Sequence, residues 1–154
     1  MYSKEEAKRL KEQFWTNFGQ FMALVPDDDG LKTNWVNYKT GIKHLYFRME
    51  TDNKTAEIYI EISHPDDGIR ELLFAQFQEY RNVLHAELEE EWIWDEVYYD
   101  IYGKKSARIG IALDKKVSVF KEEDWPELIG FFKPRIIALD RFWNQAKYGF
   151  DLFK

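Results

Sequence analysis

The sequence predicts an α+β fold: one four-stranded, mostly antiparallel sheet with helices packed on its apolar face, in the order α–ββα–ββα. Three observations lead there. Residues 43–63 and 96–114 alternate apolar and polar side chains at the period of two that a half-buried strand requires. Three further stretches repeat apolar residues at three- and four-residue spacing, the mark of amphipathic helices. No Pro-, Gly- or Ser-rich linker separates the two ββα units, and units of about 50–60 residues would each be marginal alone. The economical organisation is a single domain over 1–154, an N-terminal helix followed by ββα units at about 43–88 and 95–146.

The first helix opens on Ser3 and Glu6, an S-x-x-E capping box, with Tyr2 placed to staple onto Ala7. Leu10, Phe14, Phe18, Phe21, Met22 and Val25 form its stripe, and Pro26 with Asp27-Asp28-Asp29-Gly30 stops it. The aspartates lack the alternating ligands and distant glutamate of a calcium loop, so a solvated turn is expected. A two-residue turn at Asp52-Asn53 pairs Met49 with Ala56, Phe47 with Ile58 and Leu45 with Ile60. The other face then pairs Arg48 with Glu57, Tyr46 with Tyr59 and His44 with Glu61. Helix two follows over about Asp66–Leu88, with Ile69, Leu72, Leu73, Phe77, Tyr80, Leu84 and Leu88 apolar. In the second hairpin a loop at Gly103-Lys104-Lys105 pairs Ile101 with Ala107, Tyr99 with Ile109 and Val97 with Ile111. Its other face sets Asp100 opposite Arg108, and Tyr98 across Gly110. The last helix opens at Asp124–Glu127 and carries Leu128, Phe131, Phe132, Ile136, Leu139 and Phe142; Pro134 should kink it near Gly130.

Composition narrows the function classes. The chain has 154 residues, 45% hydrophobic and 32% charged, with a net charge of −6. That charge argues against nucleic acid held by direct, broad contact, which needs a clustered basic surface. The absence of cysteine excludes disulfides, thiolate metal sites and Cys nucleophiles. No apolar run approaches the ~20 residues of a membrane span, so a cytoplasmic domain without membrane contact is expected. Twelve Phe, nine Tyr and six Trp make 18% of the chain aromatic. Most of these rings belong in the core, and some Tyr and Trp, with their polar edges, belong at an interface.

The hairpin strand Ala56-Glu57-Ile58-Tyr59-Ile60-Glu61-Ile62, Trp94, the strand Ala107-Arg108-Ile109-x-Ile111, and Trp125 with Phe142-Trp143 in the closing helix carry a resemblance. Together, over about Leu10 to Trp143, they resemble an uncharacterised bacterial family known as a domain of unknown function. That family often lies C-terminal to nuclease-like domains in longer proteins, whereas this chain is expected to stand alone. The resemblance implies association with DNA-processing or defence systems, and it supplies no catalytic residues.

The sheet's second face has the unusual content. His44, Tyr46, Arg48, Glu50, Glu57, Tyr59, Glu61, Tyr98, Asp100, Tyr102 and Arg108 project there under these pairings. Tyr and Arg are enriched at binding hot spots, so the face is a candidate surface for a protein partner or a second copy of the chain. Catalysis has weaker footing. His44 beside Glu61 has the form of an oriented base, with His64 able to approach His44. The three histidines match no metal spacing, Ser63, Ser106 and Ser118 have no adjacent base, and no cofactor is implied. A metal-dependent nuclease of the D/E-x-K kind is the alternative, with Asp114 and Lys116 at a strand end. Asp100 would lie six residues from Asp114 along the ladder, roughly 20 Å, too far to share an ion. Glu96 is better placed, which leaves Glu96, Asp114 and Lys116 as the candidate cluster.

Overall fold

A computed structural model describes residues 2–154, with Met1 outside them. Ser3 accepts a hydrogen bond from the Glu6 N–H at 3.1 Å and opens α1, Lys4–Met22. Phe14, Phe18 and Met22 bury its stripe, while Phe21 stays exposed and the Tyr2 ring packs on Phe120. The acidic run that follows is a loop closed on itself. Asp27 accepts from the N–H groups of Asp29 and Leu31, and the Asp28 N–H donates to buried Asp140 at 2.8 Å. Tyr38 donates to the other oxygen of Asp140 at 2.6 Å. Burial, and then this carboxylate, push the Tyr38 hydroxyl far above its ordinary range.

Strands β1 (Leu45–Thr51), β2 (Ala56–Ile62), β3 (Ile93–Tyr99) and β4 (Lys105–Ala112) form one antiparallel sheet in the order β1-β2-β4-β3. The α+β class and the two hairpins stand as expected. Both registers differ from expectation. In the first hairpin Thr51 pairs with Ala56, Met49 with Ile58 and Leu45 with Ile62, so the loop is four residues long. Thr51 closes it from its side chain, donating to the Thr55 carbonyl at 2.9 Å. The slip is two residues, an even number, so every side chain keeps its face.

The second hairpin departs further. β3 starts at Ile93, pairing Ile93 with Gly110, Trp94 with Ile109 and Asp95 with Arg108, and then bulges before Tyr98 meets Ser106. Asp100 is a turn residue: its carboxylate accepts from the N–H groups of Tyr102 and Lys104, both at 2.8 Å. It therefore does not oppose Arg108. Val97, Tyr99 and Ile101 do not enter the core and remain exposed. The physical reason is the ladder's extent, since β2 pairs with β4 only from Ala107 onward and the hairpin tip overhangs it.

Helix two is two helices, α2 (Asp67–Glu79) and α3 (Arg81–Leu88), broken at Tyr80. Tyr80 lies against Gly149 and Phe150 in the closing 3-10 segment Lys147–Phe153, a tertiary contact without local trace in the sequence. Gly149 makes the approach feasible, because a Cβ there would sit 2.1 Å from the Tyr80 hydroxyl. Of the expected stripe, Leu73, Phe77 and Leu84 are buried, whereas Ile69 and Leu72 face outward. The last helix, α4, runs Trp125–Ala146 without interruption through Pro134. Its stripe is buried as expected, and the helix continues on both sides of Pro134. The carbonyl that Pro134 leaves free belongs to solvent-exposed Gly130, so water can satisfy it.

One core unites these elements. Phe14 and Phe18 of α1 meet Phe132 of α4, and Phe77 of α2 stacks with Phe142 and Trp143. Leu45, Phe47, Ile58, Ile60, Ala107 and Ile109 supply the sheet's contribution from one face. The other face remains for the candidate site.

Candidate functional site

On the uncovered face Arg108 of β4 is clamped between two rings. Its guanidinium carbon lies 3.9 Å from the Tyr59 centroid and 3.8 Å from that of Tyr98. Cation–π contacts of this kind gain strength where water is thinned, and the Arg108 side chain is only 15% exposed. Tyr59 reaches 3% exposure on an otherwise open face because it lies across Gly110, where a Cβ would fall 2.4 Å from its own. Tyr98 does not lie across this glycine as expected: Ile93 of β3 opposes Gly110, and the ring that crosses it is Tyr59 of β2.

Carboxylates surround the stack. Glu57 and Glu61 approach the Arg108 guanidinium at 3.7 and 3.9 Å. Glu61 also accepts from Arg48 Nε at 3.3 Å, and Arg48 in turn lies 4.0 Å over the Tyr46 ring. Tyr59 donates to Glu50 at 2.6 Å. Glu50 stands directly opposite Glu57 in the ladder. Partial burial, then the hydrogen bond and charge of Glu50, raise the Glu57 carboxyl above its ordinary range, while Arg108 opposes this. Burial and Glu50 likewise raise the Tyr59 hydroxyl. Arg108 Nε is buried with no hydrogen-bond partner among the described residues. A shallow cavity of about 230 Å³ adjoins the stack, with Ile93 and Asp95 on its far wall.

Of the eleven residues expected on this face, Tyr46, Arg48, Glu50, Glu57, Tyr59, Glu61, Tyr98 and Arg108 form this continuous set. Their partners are redistributed: Arg48 meets Glu61 in place of Glu57, and Arg108 meets Glu57 and Glu61 in place of Asp100. Asp100 and Tyr102 sit in the turn after β3, and Tyr102 is 89% exposed. The two-residue shift in register sets Tyr46, and not His44, opposite Glu61, while the His44 carbonyl accepts from the Ser63 N–H at 2.9 Å just before β1. The oriented-base arrangement therefore does not form. His44 instead meets His64, ring centroids 4.9 Å apart, beside a cavity of about 730 Å³ walled by Ile69, Leu72 and Leu73. His64 Nδ1 accepts from the Asp66 N–H there at 3.0 Å.

The nuclease-like cluster is not assembled. Glu96 sits in the β3 bulge, opposite the region of Ala107, seven residues from Asp114 along β4 and its extension. That separation is roughly 23 Å at the strand rise. Among the described residues no group of three His, Asp or Glu side chains is arranged to hold a metal ion. Lys116 is exposed, and its neighbour Lys115 pairs with Glu127. Ile93 and Asp95 are the face residues that sequence reasoning overlooked. The run Trp92-Ile93-Trp94, rich in strand-forming types, was the available signal for an earlier start to β3.

No helix of the described residues is long and apolar enough to cross a membrane. No curated protein and no solved structure gives a significant match to the chain. The family model of the domain of unknown function DUF4268 matches residues 10–147, which takes in the whole sheet, α2, α3, α4 and the greater part of α1, and the chain belongs to that family.

Proposed function

We propose that the chain is a non-catalytic binding module that engages a protein partner through the uncovered face of its sheet. The observation that carries this reading is Arg108, held between Tyr59 and Tyr98 on a face that the helices leave open. A pre-ordered arginine flanked by aromatics has the composition and rigidity of a binding hot spot. Tyr46 and Arg48 extend it as a half-exposed polar rim. The partner that fits is a different protein with a basic contact surface, since Glu50, Glu57, Glu61 and Asp95 frame the stack and the chain carries a net charge of −6. A second copy would bring the same acids face to face. Association with DNA-processing or defence systems is the setting that the family resemblance supplies for this reading. The nuclease alternative loses its support with the separation of Glu96 from Asp114.

Affinity purification from the native host, comparing wild type with Tyr46→Glu/Tyr98→Glu, tests the reading. A protein recovered with the wild type should fall at least about fivefold with the double variant, which should keep the wild-type circular dichroism. Equal recovery with both chains would overturn it. So would wild-type dimers in sedimentation that the same substitutions dissociate, because the partner would then be the chain itself.

A further inference from the structure

The sheet has two edges, and they are finished differently. β1 is partly covered, since Lys39 forms a bridge to Tyr46 on its outer side. β3 pairs with β4 on one side, and on the other none of its backbone groups finds a backbone partner among the described residues. An open strand edge is a row of unused donors and acceptors, which proteins usually blunt with charge, shortness or covering segments. β3 has a bulge and two acids, yet Ile93 is 72% exposed and Tyr99 60% exposed, with Val97 between them also outward. Scattered apolar side chains need no explanation, but several along one unpaired edge mark a contact site.

Charge selects the occupant. Glu91, Asp95 and Glu96 lie on or beside this strand, and none of them forms an ion pair among the described residues. Two copies of β3 paired antiparallel would oppose these acids to one another, and like charges directly opposite destabilise a ladder. An extended segment with alternating basic and apolar residues has the reverse relation, with a cation for Asp95 or Glu96 and an apolar side chain for Ile93 or Tyr99. Asp95 and Ile93 also wall the cavity beside Arg108, so such a segment would continue the face already described.

We infer that β3 is a docking edge that accepts an extended basic–apolar segment of a partner protein as a fifth strand of the sheet. This rests on the partner-surface reading above and adds the partner's chemistry and its mode of attachment, main-chain hydrogen bonds with alternate side chains giving selectivity.

The test uses the full chain and three capped synthetic peptides, followed by amide chemical shifts and hydrogen exchange. One peptide alternates Lys with Val, one alternates Lys with Gly, and one is the Lys/Val sequence N-methylated at alternate residues. The Lys/Val peptide should shift and protect the amides of 93–99, and both other peptides should bind at least about tenfold more weakly. Asp95→Lys/Glu96→Lys, at exposed positions that leave the fold intact, should weaken the Lys/Val peptide by at least about tenfold. Three results would overturn the inference: no change at 93–99 with millimolar Lys/Val peptide; equal binding of the N-methylated or Lys/Gly peptide; or changes at 93–99 that track protein concentration alone. In the last case a second copy occupies the edge. A native partner lost with Tyr98→Glu while every peptide leaves 93–99 unmoved would sink the edge inference and leave the face reading standing.

Discussion

Glu50 and Glu57 face each other across β1 and β2, an arrangement that costs energy when both are ionised. Tyr59 donates to Glu50, and burial with the neighbouring Glu50 holds the Glu57 carboxyl above its ordinary range. A carboxyl raised in the folded state binds protons there more readily than in the unfolded chain. Its stabilising contribution is therefore fully present below the unfolded value, about 4.3, and is lost as pH rises through the raised folded value. Glu57→Gln removes that loss. It should raise the thermal midpoint relative to wild type at pH 7, and the gain should shrink to nothing near pH 4. A gain of equal size at both pH values would mean that Glu57 acts through packing, with no titration involved. At this scale the sequence was informative about which side chains share the face but silent about burial. Nothing local marks Tyr59 as the sequestered tyrosine and Tyr46 as an exposed one, because that depends on Gly110 and Arg108 arriving from another strand.

The register of β1 and β2 makes its own prediction. Arg48 bonds Glu61 at 3.3 Å across a diagonal of the ladder, while Glu57 opposes Glu50 and pairs with Arg108. A double-mutant cycle on Arg48 and Glu61, read by urea unfolding, should give a coupling of up to about 1 kcal/mol. The cycle on Arg48 and Glu57 should give a value near zero. The opposite ranking would restore the two-residue turn at Asp52-Asn53. Alternation alone allowed both pairings, since they differ by two residues and leave every face unchanged. The misplacement of β3 has another cause: Tyr98, Tyr99, Ile101 and Tyr102 have strand character, yet the Asp100 carboxylate claims two backbone N–H groups and turns the chain there.

The two ββα units share one set of buried rings. Phe132 of α4 meets α1, Phe142 and Trp143 of α4 meet Phe77 of α2, and the Trp143 indole donates to the Thr40 carbonyl at 2.9 Å. We propose on this ground that 1–154 is a single folding unit. Unfolding in urea should then show one midpoint, the same by tryptophan fluorescence and by far-ultraviolet circular dichroism. Six tryptophans spread from Trp15 to Trp143 make the fluorescence a global report. Two separated midpoints would return the chain to two independent ββα domains.

Local chemistry determined much of this protein. The Ser3 cap, the period-two strands, the buried stripe of α4 and the polar, tyrosine-rich second face all follow from residue type and spacing, because period and capping act over a few residues. Tertiary structure decided the rest. Which strands became edges, where β3 began, where helix two broke at Tyr80, and how Arg108 came to lie between Tyr59 and Tyr98 each depend on groups distant in the chain. The strand order β1-β2-β4-β3 brought β2 beside β4, and only that neighbourhood sets Gly110 against Tyr59 and joins the two hairpins into one surface. Periodicity specifies the face on which a residue lies, but a neighbour across the sheet is chosen by packing free energy summed over the whole core.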